Sequence, residues 1–197
     1  MNTNLTTSEL QKSLSLFEED SKIQHTLQQL QSSRVKQSHK DTLPFSQRLN
    51  DFVINWFTEH WDIFIFTDND DFDADDIEGT LARHRETFLR TGKIYIWTGA
   101  SDKTIFVEPR INHYFRAWHD YIHVTENLGY DFIGESAVCS IQMAQLPFNW
   151  GYERALVQSE IVGQALYYMK YNECIEDQRG FTLQYLMDGK INGKFIV

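Results

Sequence analysis

The strongest constraint on the fold lies past Pro109, where three stretches of helical character follow one another with only short breaks between them. The first helix is expected to start at Asn112, a residue type that caps helices, and to end just before Gly129. The other two helices are predicted over residues 132–146 and 152–171. This C-terminal half of the chain is therefore expected to be mainly helical.

The part of the chain before Pro109 mixes helical and extended patterns. Apolar residues recur at helical spacing over residues 45–60, and a short apolar run at residues 62–66 is typical of a buried strand. Two further strands are predicted at residues 93–98 and 104–107, because the Gly-Ala-Ser-Asp sequence between them is typical of a hairpin turn. These patterns indicate an α+β fold with a small antiparallel sheet and a mainly helical C-terminal half.

An acidic run at residues 68–78 separates the first predicted strand from the next helix. It fails as an EF-hand calcium loop, because Asp73 and Gly79 stand where that loop needs Gly and Glu. Asp73 or Asp75 is instead expected to cap a helix that stops at Gly92. The run is therefore predicted to be a solvated loop that leads into a capped helix.

Residues 1–43 differ in composition from the rest of the chain and are expected to form an N-terminal arm. They are rich in Gln, Ser, Thr and Lys and contain one aromatic residue, Phe17. Their thin apolar stripe predicts a helix, followed by a loose segment, that lies on the domain or on a partner. A helix that bundles with a second subunit is equally allowed, which would make a homo-oligomer. A single globular domain is expected over residues 44–197.

The composition limits the kinds of partner that the protein can have. The chain has 197 residues, 14% of them aromatic, and a formal net charge of -10. The aromatic share predicts a packed core, and the negative charge argues against non-specific binding of nucleic acid, which needs a basic face. No apolar run approaches the ~20 residues of a membrane span, and the N-terminus lacks the pattern of a secretory signal. Together with two isolated cysteines, these features predict a cytoplasmic protein without a membrane partner.

His119 and His123 are the first candidates for chemistry. They are four residues apart, so on a helix they share one face and can bind the same metal ion. With Asp120 between them, they resemble the H-E-x-x-H helix of zincin metalloproteases, in which the glutamate is the general base. Asp is one methylene shorter than Glu, so the resemblance implies metal binding better than it implies peptide hydrolysis. The alternative is a pair of structural histidines, one on the surface and one in the core.

Glu160 lies in the third predicted helix, inside a stretch that is otherwise almost entirely apolar or small. Such a helix is usually buried, and an ionised carboxylate is costly to bury without a partner or a metal ion. His119 and His123 on a neighbouring helix would satisfy it, with or without an ion. Arg116 or Arg154 would satisfy it equally well as an ion pair, and the sequence leaves both possibilities open.

Glu135, Cys139 and Gln142 form a polar seam through the second predicted helix, at positions i, i+4 and i+7. The connection from the first helix is short, so the two helices should pack together and bring Glu135 near the histidines. Two imidazoles and up to three carboxylates suit one divalent ion: Zn²⁺ with an open position, Fe²⁺ or Mn²⁺. A ferritin-like di-iron site is matched less well, because only one D-x-x-H pair, Asp120 and His123, is present.

The segment from Lys93 to Val124 contains the sequence IYIWTG, the run FRAWHD and a second histidine. In these features it resembles uncharacterised small proteins of tailed phages. The resemblance implies an accessory protein with a host-takeover or virion-associated role, and it assigns no functional residue.

Two functions therefore fit the sequence, and whether the protein is an enzyme stays open. In the first, a phage accessory protein in the host cytoplasm or in the virion binds a bacterial or virion protein through its acidic surface or its arm. In the second, a metal-dependent enzyme of hydrolase type uses water that the ion activates. Asp120 would then act as the base or orient a ligand. The predicted metal ligands are His119, His123, Glu135 and Glu160.

Overall fold

The computed structural model describes residues 44–188, and this part of the chain is mostly helical (66%). The predicted arm, residues 1–43, lies outside the described residues, as do residues 189–197. The arm, its boundary with the domain and a homo-oligomer built through it therefore stay predictions.

In the described part, helices and strands alternate as far as the second strand, and every element after it is helical. None of these helices is both long enough and apolar enough to cross a membrane. In chain order the elements are α1 (Gln47–His60), a 3-10 turn (Trp61–Ile63), β1 (Phe64–Thr67), α2 (Ile77–Thr91), β2 (Ile94–Trp97), α3 (Pro109–Glu126), α4 (Phe132–Gln145), α5 (Gly151–Gln158), a π-helical turn (Ser159–Gly163), α6 (Gln164–Tyr171) and α7 (Gln178–Asp188).

The three predicted C-terminal helices are present, but the predicted start of the first, α3, is wrong. The helix begins at Pro109, whose fixed φ suits the first turn of a helix. Asn112 lies inside that turn, is buried, and donates from its side-chain amide to the hydroxyl of Ser101 at 3.0 Å. The left-handed residue that ends the helix is Asn127 (φ 56°) rather than Gly129. Asn tolerates this conformation better than most residues do.

Helix α2 ends where its sequence predicts but starts from a different cap. Gly92 ends the helix in the left-handed region (φ 68°), which glycine adopts without strain. The N-cap is Asp76, whose carboxylate accepts from the backbone N–H of Gly79 at 3.0 Å. Asp73 accepts from the N–H of Asp75 instead, so both predicted caps belong to the loop before the helix. Several neighbouring aspartates are competent caps, and the sequence alone does not choose among them.

The two-stranded sheet is parallel, and the predicted antiparallel hairpin is wrong. β1 and β2 pair in parallel, with α2 as the crossover between them. A helical crossover brings the chain back to the end of the sheet where the first strand began, so the second strand runs in the same direction. Residues 104–107 form turns, in which Val107 has φ 68° and the N–H of Glu108 donates to the carbonyl of Phe106 at 2.8 Å. Ile105 and Phe106 are buried in this loop, which explains their strand-like pattern.

Helix α3 lies at the centre of the domain and packs against α1, α2, α4 and β2. Its Trp118 is fully buried and packs against the rings of Phe52, Trp56 and Phe115. Buried aromatic side chains are among the largest contributors to a core, because each removes a large apolar area from water. This packing holds α3 from several sides, so the next residue, His119, has a defined position.

Candidate metal centre

His119 and His123 project from the same face of α3, one helical turn apart. Their Nε2 atoms are 3.0 Å apart, and the two rings meet edge to face with 4.5 Å between their centroids. His123 is fully buried, whereas the side chain of His119 is 17% exposed. The structure thus brings together the two histidines that the sequence placed on one helical face.

Glu135 joins the two histidines from the first turn of α4. Its carboxylate oxygens lie 3.2 Å from Nε2 of His119 and 3.5 Å from Nε2 of His123. Helix α4 comes this close to the end of α3 because Gly134 has no side chain, and a Cβ there would collide with the backbone of Gly129. The short connection predicted from the sequence therefore places the carboxylate of Glu135 beside the two histidines.

These three side chains could hold a metal ion, because their ligand atoms all lie within 4.8 Å of one another. The two Nε2 atoms are 3.0 Å apart, and they lie 3.2 and 3.5 Å from two different oxygens of Glu135, Oε2 and Oε1. Ligand atoms at about 2.0–2.1 Å from a tetrahedral ion are about 3.3–3.4 Å apart. Each of these separations is therefore close to that between two ligands of one tetrahedral ion, and a fourth position is left for a non-protein ligand.

The second ring nitrogen of each histidine is held by a carbonyl oxygen. Nδ1 of His119 donates to Oε1 of Gln142 at 3.2 Å, and Nδ1 of His123 donates to the backbone carbonyl of Leu128 at 2.9 Å. A neutral imidazole that donates from Nδ1 has its lone pair on Nε2, so the two lone pairs face each other. Facing lone pairs repel unless a proton or a metal ion lies between them. Carbonyl acceptors of this kind are typical partners of metal-binding histidines.

In the absence of a metal ion the cluster holds a proton tightly. Burial would lower the pKa of His119, but the carboxylate of Glu135 outweighs burial and raises that pKa to about 9. Burial would likewise raise the pKa of Glu135, but the charge and hydrogen bond of His119 lower it to about 2. At neutral pH the metal-free site is therefore an ion pair, and a divalent cation must displace the imidazolium proton in order to bind.

Asp120, the predicted base, is partly buried beside the cluster. Burial raises the pKa of its carboxyl group, and the positive charges of His119 and His123 oppose that rise. Among residues 44–188, no side chain or backbone group donates a hydrogen bond to this carboxylate. Its acceptor positions are therefore not filled by any group of the described residues.

Glu160 does not belong to the group of three. It lies in the π-helical turn, where its carboxylate accepts from the hydroxyl of Thr182 at 3.0 Å and from the side-chain amide of Gln164 at 3.1 Å. Burial raises the pKa of Glu160 to about 7, more than these two donors and the charge of Arg116 lower it. Within residues 44–188 it forms no ion pair, because the predicted partners Arg116 and Arg154 donate to backbone carbonyls instead.

The polar seam predicted on α4 faces the interior of the domain. Cys139 and Gln142 are both fully buried, and Gln142 is the residue that orients His119. Burial raises the pKa of the Cys139 thiol well above its ordinary value. Among the described residues, the group of side chains that could hold a metal ion does not include Cys139.

Sequence reasoning missed two residues near the centre. The ring of Tyr130 packs on the imidazole of His123 with 4.4 Å between their centroids, and its hydroxyl is 2.8 Å from Nδ1 of His84 on α2. Tyr130 stands in the short connection between α3 and α4, and this closeness to the end of α3 in the sequence was the only signal that could have identified it. His84 offers none, because its helix lies far away in the sequence.

Comparison of the chain with protein-family models, with curated proteins and with solved structures gave no match. The resemblance of residues 93–124 to phage proteins and that of residues 119–123 to the zincin helix therefore stay predictions.

Proposed function

We propose that the protein binds one divalent metal ion through His119, His123 and Glu135. The observation that carries this proposal is the convergence of two Nε2 atoms and a carboxylate within 3.5 Å of one another. Both imidazoles are oriented for this by carbonyl acceptors on Nδ1.

The ligand set favours Zn²⁺, Fe²⁺ or Mn²⁺. Two imidazoles and one carboxylate are typical of catalytic zinc sites with an open position and of mononuclear non-haem iron sites. The side chains of His119 and Glu135 are each 17% exposed, which supports access of solvent to the open position. A purely structural zinc site would take a fourth ligand from the protein and would be closed.

The reaction class that suits such a site is metal-assisted hydrolysis. The ion would activate water and polarise the bond to be cleaved. Asp120 follows His119 in the sequence, and its carboxylate, free of hydrogen bonds from residues 44–188, supports a role as the acceptor of the proton from that water. The substrate would reach the site from the side on which His119 and Glu135 are exposed.

Metal analysis of protein purified without added nickel tests the proposal. We expect about one divalent ion per chain, and we expect a chelator to lower the melting temperature, because an ion that binds only the folded state stabilises it. Glu135→Gln should weaken binding at least about tenfold, since even indirect partners of a metal are worth that much. Glu126→Gln, an exposed glutamate at the end of α3, is the matched control and should bind normally. Absence of metal in the wild type, with no response to chelator, would refute the proposal.

A non-catalytic role in binding a host or virion protein stays a second proposal. The feature that favours it is the exposed acidic loop, residues 68–76, in which the side chain of Phe72 is 48% exposed. Aromatic side chains are enriched where proteins contact one another. The two proposals predict different results for Glu135→Gln. If the protein acts as a metal-dependent hydrolase, this variant should lose its biological effect. If the protein acts by binding another protein through the acidic loop, the variant should keep that effect.

A further inference from the structure

The ring that packs on His123 is anchored by a hydrogen-bonded chain from another part of the fold. The hydroxyl of Tyr130 is 2.8 Å from Nδ1 of His84, and Nε2 of His84 is 3.2 Å from Oδ1 of Asp71. A carboxylate only accepts hydrogen bonds, so Nε2 of His84 donates to Asp71. Nδ1 of a neutral His84 then accepts from the hydroxyl of Tyr130.

The members of this chain come from three separate elements. Asp71 lies in the acidic loop after β1, His84 on α2, and Tyr130 in the connection between α3 and α4. The ring of Phe72 meets the ring of Tyr130 edge to face at 5.8 Å. Burial raises the pKa of the Tyr130 hydroxyl above its ordinary value, so this group stays a neutral donor. The aromatic ring is therefore held both at its hydroxyl and along its edge.

His123 is restrained by this ring in addition to its own hydrogen bond. The carbonyl of Leu128 holds Nδ1, and the ring of Tyr130, inclined at 38°, covers one face of the imidazole. Rotation of the imidazole about the Cβ–Cγ bond would move Nε2 away from His119 and Glu135. Metal sites lose affinity when the groups that orient a ligand are removed, even though those groups never touch the ion.

We propose that Tyr130, His84 and Asp71 are positioning residues of the metal centre, which hold the His123 ring in its metal-binding orientation. The acidic loop after β1 thereby contributes to metal affinity from outside the site. This inference rests on the proposed function, because it concerns the same ion.

The test compares the affinity of variants for Co²⁺, measured by competition with a chromogenic chelator. Tyr130→Phe keeps the ring but loses the hydroxyl, and His84→Ala removes the middle of the chain. Each should bind Co²⁺ about tenfold more weakly than the wild type. His84→Asn restores an amide near the position of Nδ1 and should recover much of the affinity. Asp75→Asn removes an exposed charge from the same loop and should change nothing.

Two further measurements separate positioning from a general loss of stability. The visible absorption bands of bound Co²⁺ report ligand geometry, so they should shift at saturation in Tyr130→Phe and not in Asp75→Asn. The variant that combines Tyr130→Phe with His84→Ala should lose no more affinity than His84→Ala alone. The reason is that the effects of substitutions within one hydrogen-bonded network are not additive. A role confined to folding would lower the melting temperature of the metal-free protein and leave the bands unchanged.

The outcomes distinguish this inference from the metal site itself. Wild-type affinity and unshifted bands in both Tyr130→Phe and His84→Ala, together with loss of binding in Glu135→Gln, would overturn the positioning role and leave the metal site standing. Failure of the wild type to bind Co²⁺ would overturn both. If His84→Ala does not fold, Tyr130→Phe and His84→Asn decide the matter, since each makes a smaller change.

Discussion

Replacing Glu160 with glutamine should stabilise the metal-free protein above neutral pH, although it removes a carboxylate that accepts two hydrogen bonds. Glu160 is buried, and burial raises its pKa from the ordinary 4.5 to about 7. Between these two values the folded protein keeps a proton that the unfolded chain has already released. The free energy of unfolding therefore falls as pH rises through this window, and it stays lower above it.

The size of the effect follows from the width of the window. Within it, each pH unit changes the free energy of unfolding by about 1.4 kcal/mol. A window from 4.5 to about 7 thus corresponds to an upper limit of roughly 3 kcal/mol. Glutamine has nearly the same shape, keeps an acceptor for the hydroxyl of Thr182, and does not titrate. Between pH 4.5 and pH 7 the free energy of unfolding of Glu160→Gln should therefore rise, relative to that of the wild type, by up to roughly 3 kcal/mol.

Urea unfolding at a series of pH values, with chelator present, measures this difference. Glu153→Gln is the control, because Glu153 is also buried but bonds to Arg48 at 2.6 Å. Burial would raise the pKa of Glu153, but the hydrogen bonds of Arg48 and Ser46 lower it, so that glutamine variant should lose stability relative to the wild type as pH rises. A constant difference for Glu160→Gln would refute the reasoning. A difference that grows in the opposite direction would mean that the native state stabilises the ionised carboxylate, as a metal ligand would be stabilised.

Five other results are expected. With chelator, the stabilisation that His119 gains from Glu135 should be complete below about pH 6.5 and lost as pH rises through about 9, so the stability difference between wild type and His119→Ala should shrink over this range. With Zn²⁺ in place of chelator, the stabilisation that His119 provides should instead be lost as pH falls, because metal affinity drops through the histidine range near ~6.5. Val107→Gly should raise the free energy of unfolding by about 1 kcal/mol, because a positive φ is strained for a β-branched residue, and Val107→Ala should not. A chain that starts near Leu43 should keep a cooperative thermal transition, and its loss would show that the arm belongs to the core. Micromolar Ca²⁺ should leave the melting temperature nearly unchanged, because residues 68–78 lack the EF-hand glycine and glutamate, and a large stabilisation would contradict this.

Much of the site could be predicted from the sequence because it depends on local rules. Helical spacing puts His119 and His123 on one face whatever the rest of the fold does. A short connection forces α4 back against α3, which brings Glu135 within reach. Glu160 could not be placed in this way, since its partner depends on how distant helices pack. Thr182, which comes from α7, satisfied it in place of the histidines.

The pairing and direction of the strands could not be predicted from the same local rules. The strand patterns at residues 62–66 and 93–98 were correct to within a few positions, but nothing in either pattern states which strand is its neighbour. The apolar residues 104–107 look like a hairpin partner, because burial in a loop and burial in a strand select the same side chains. Pairing and direction follow from the crossover through α2, which is a property of the whole unit.

The π-helical turn at Ser159–Gly163 has a consequence for how this chain can change by insertion and deletion. Such a turn is an α-helix with one residue added, so removing a single residue there would leave a continuous regular helix. The five residues of this turn advance the helix by about as much as four residues of an α-helix, so every side chain from Gln164 onward would keep nearly its present direction relative to α5. Tyr167 would therefore stay buried, whereas the hydrogen bond from Gln164 to Glu160, which starts within the turn, would change. A one-residue gap at this place in a related sequence would therefore mark a chain that keeps the packing of α6 and lacks the wider turn around Glu160.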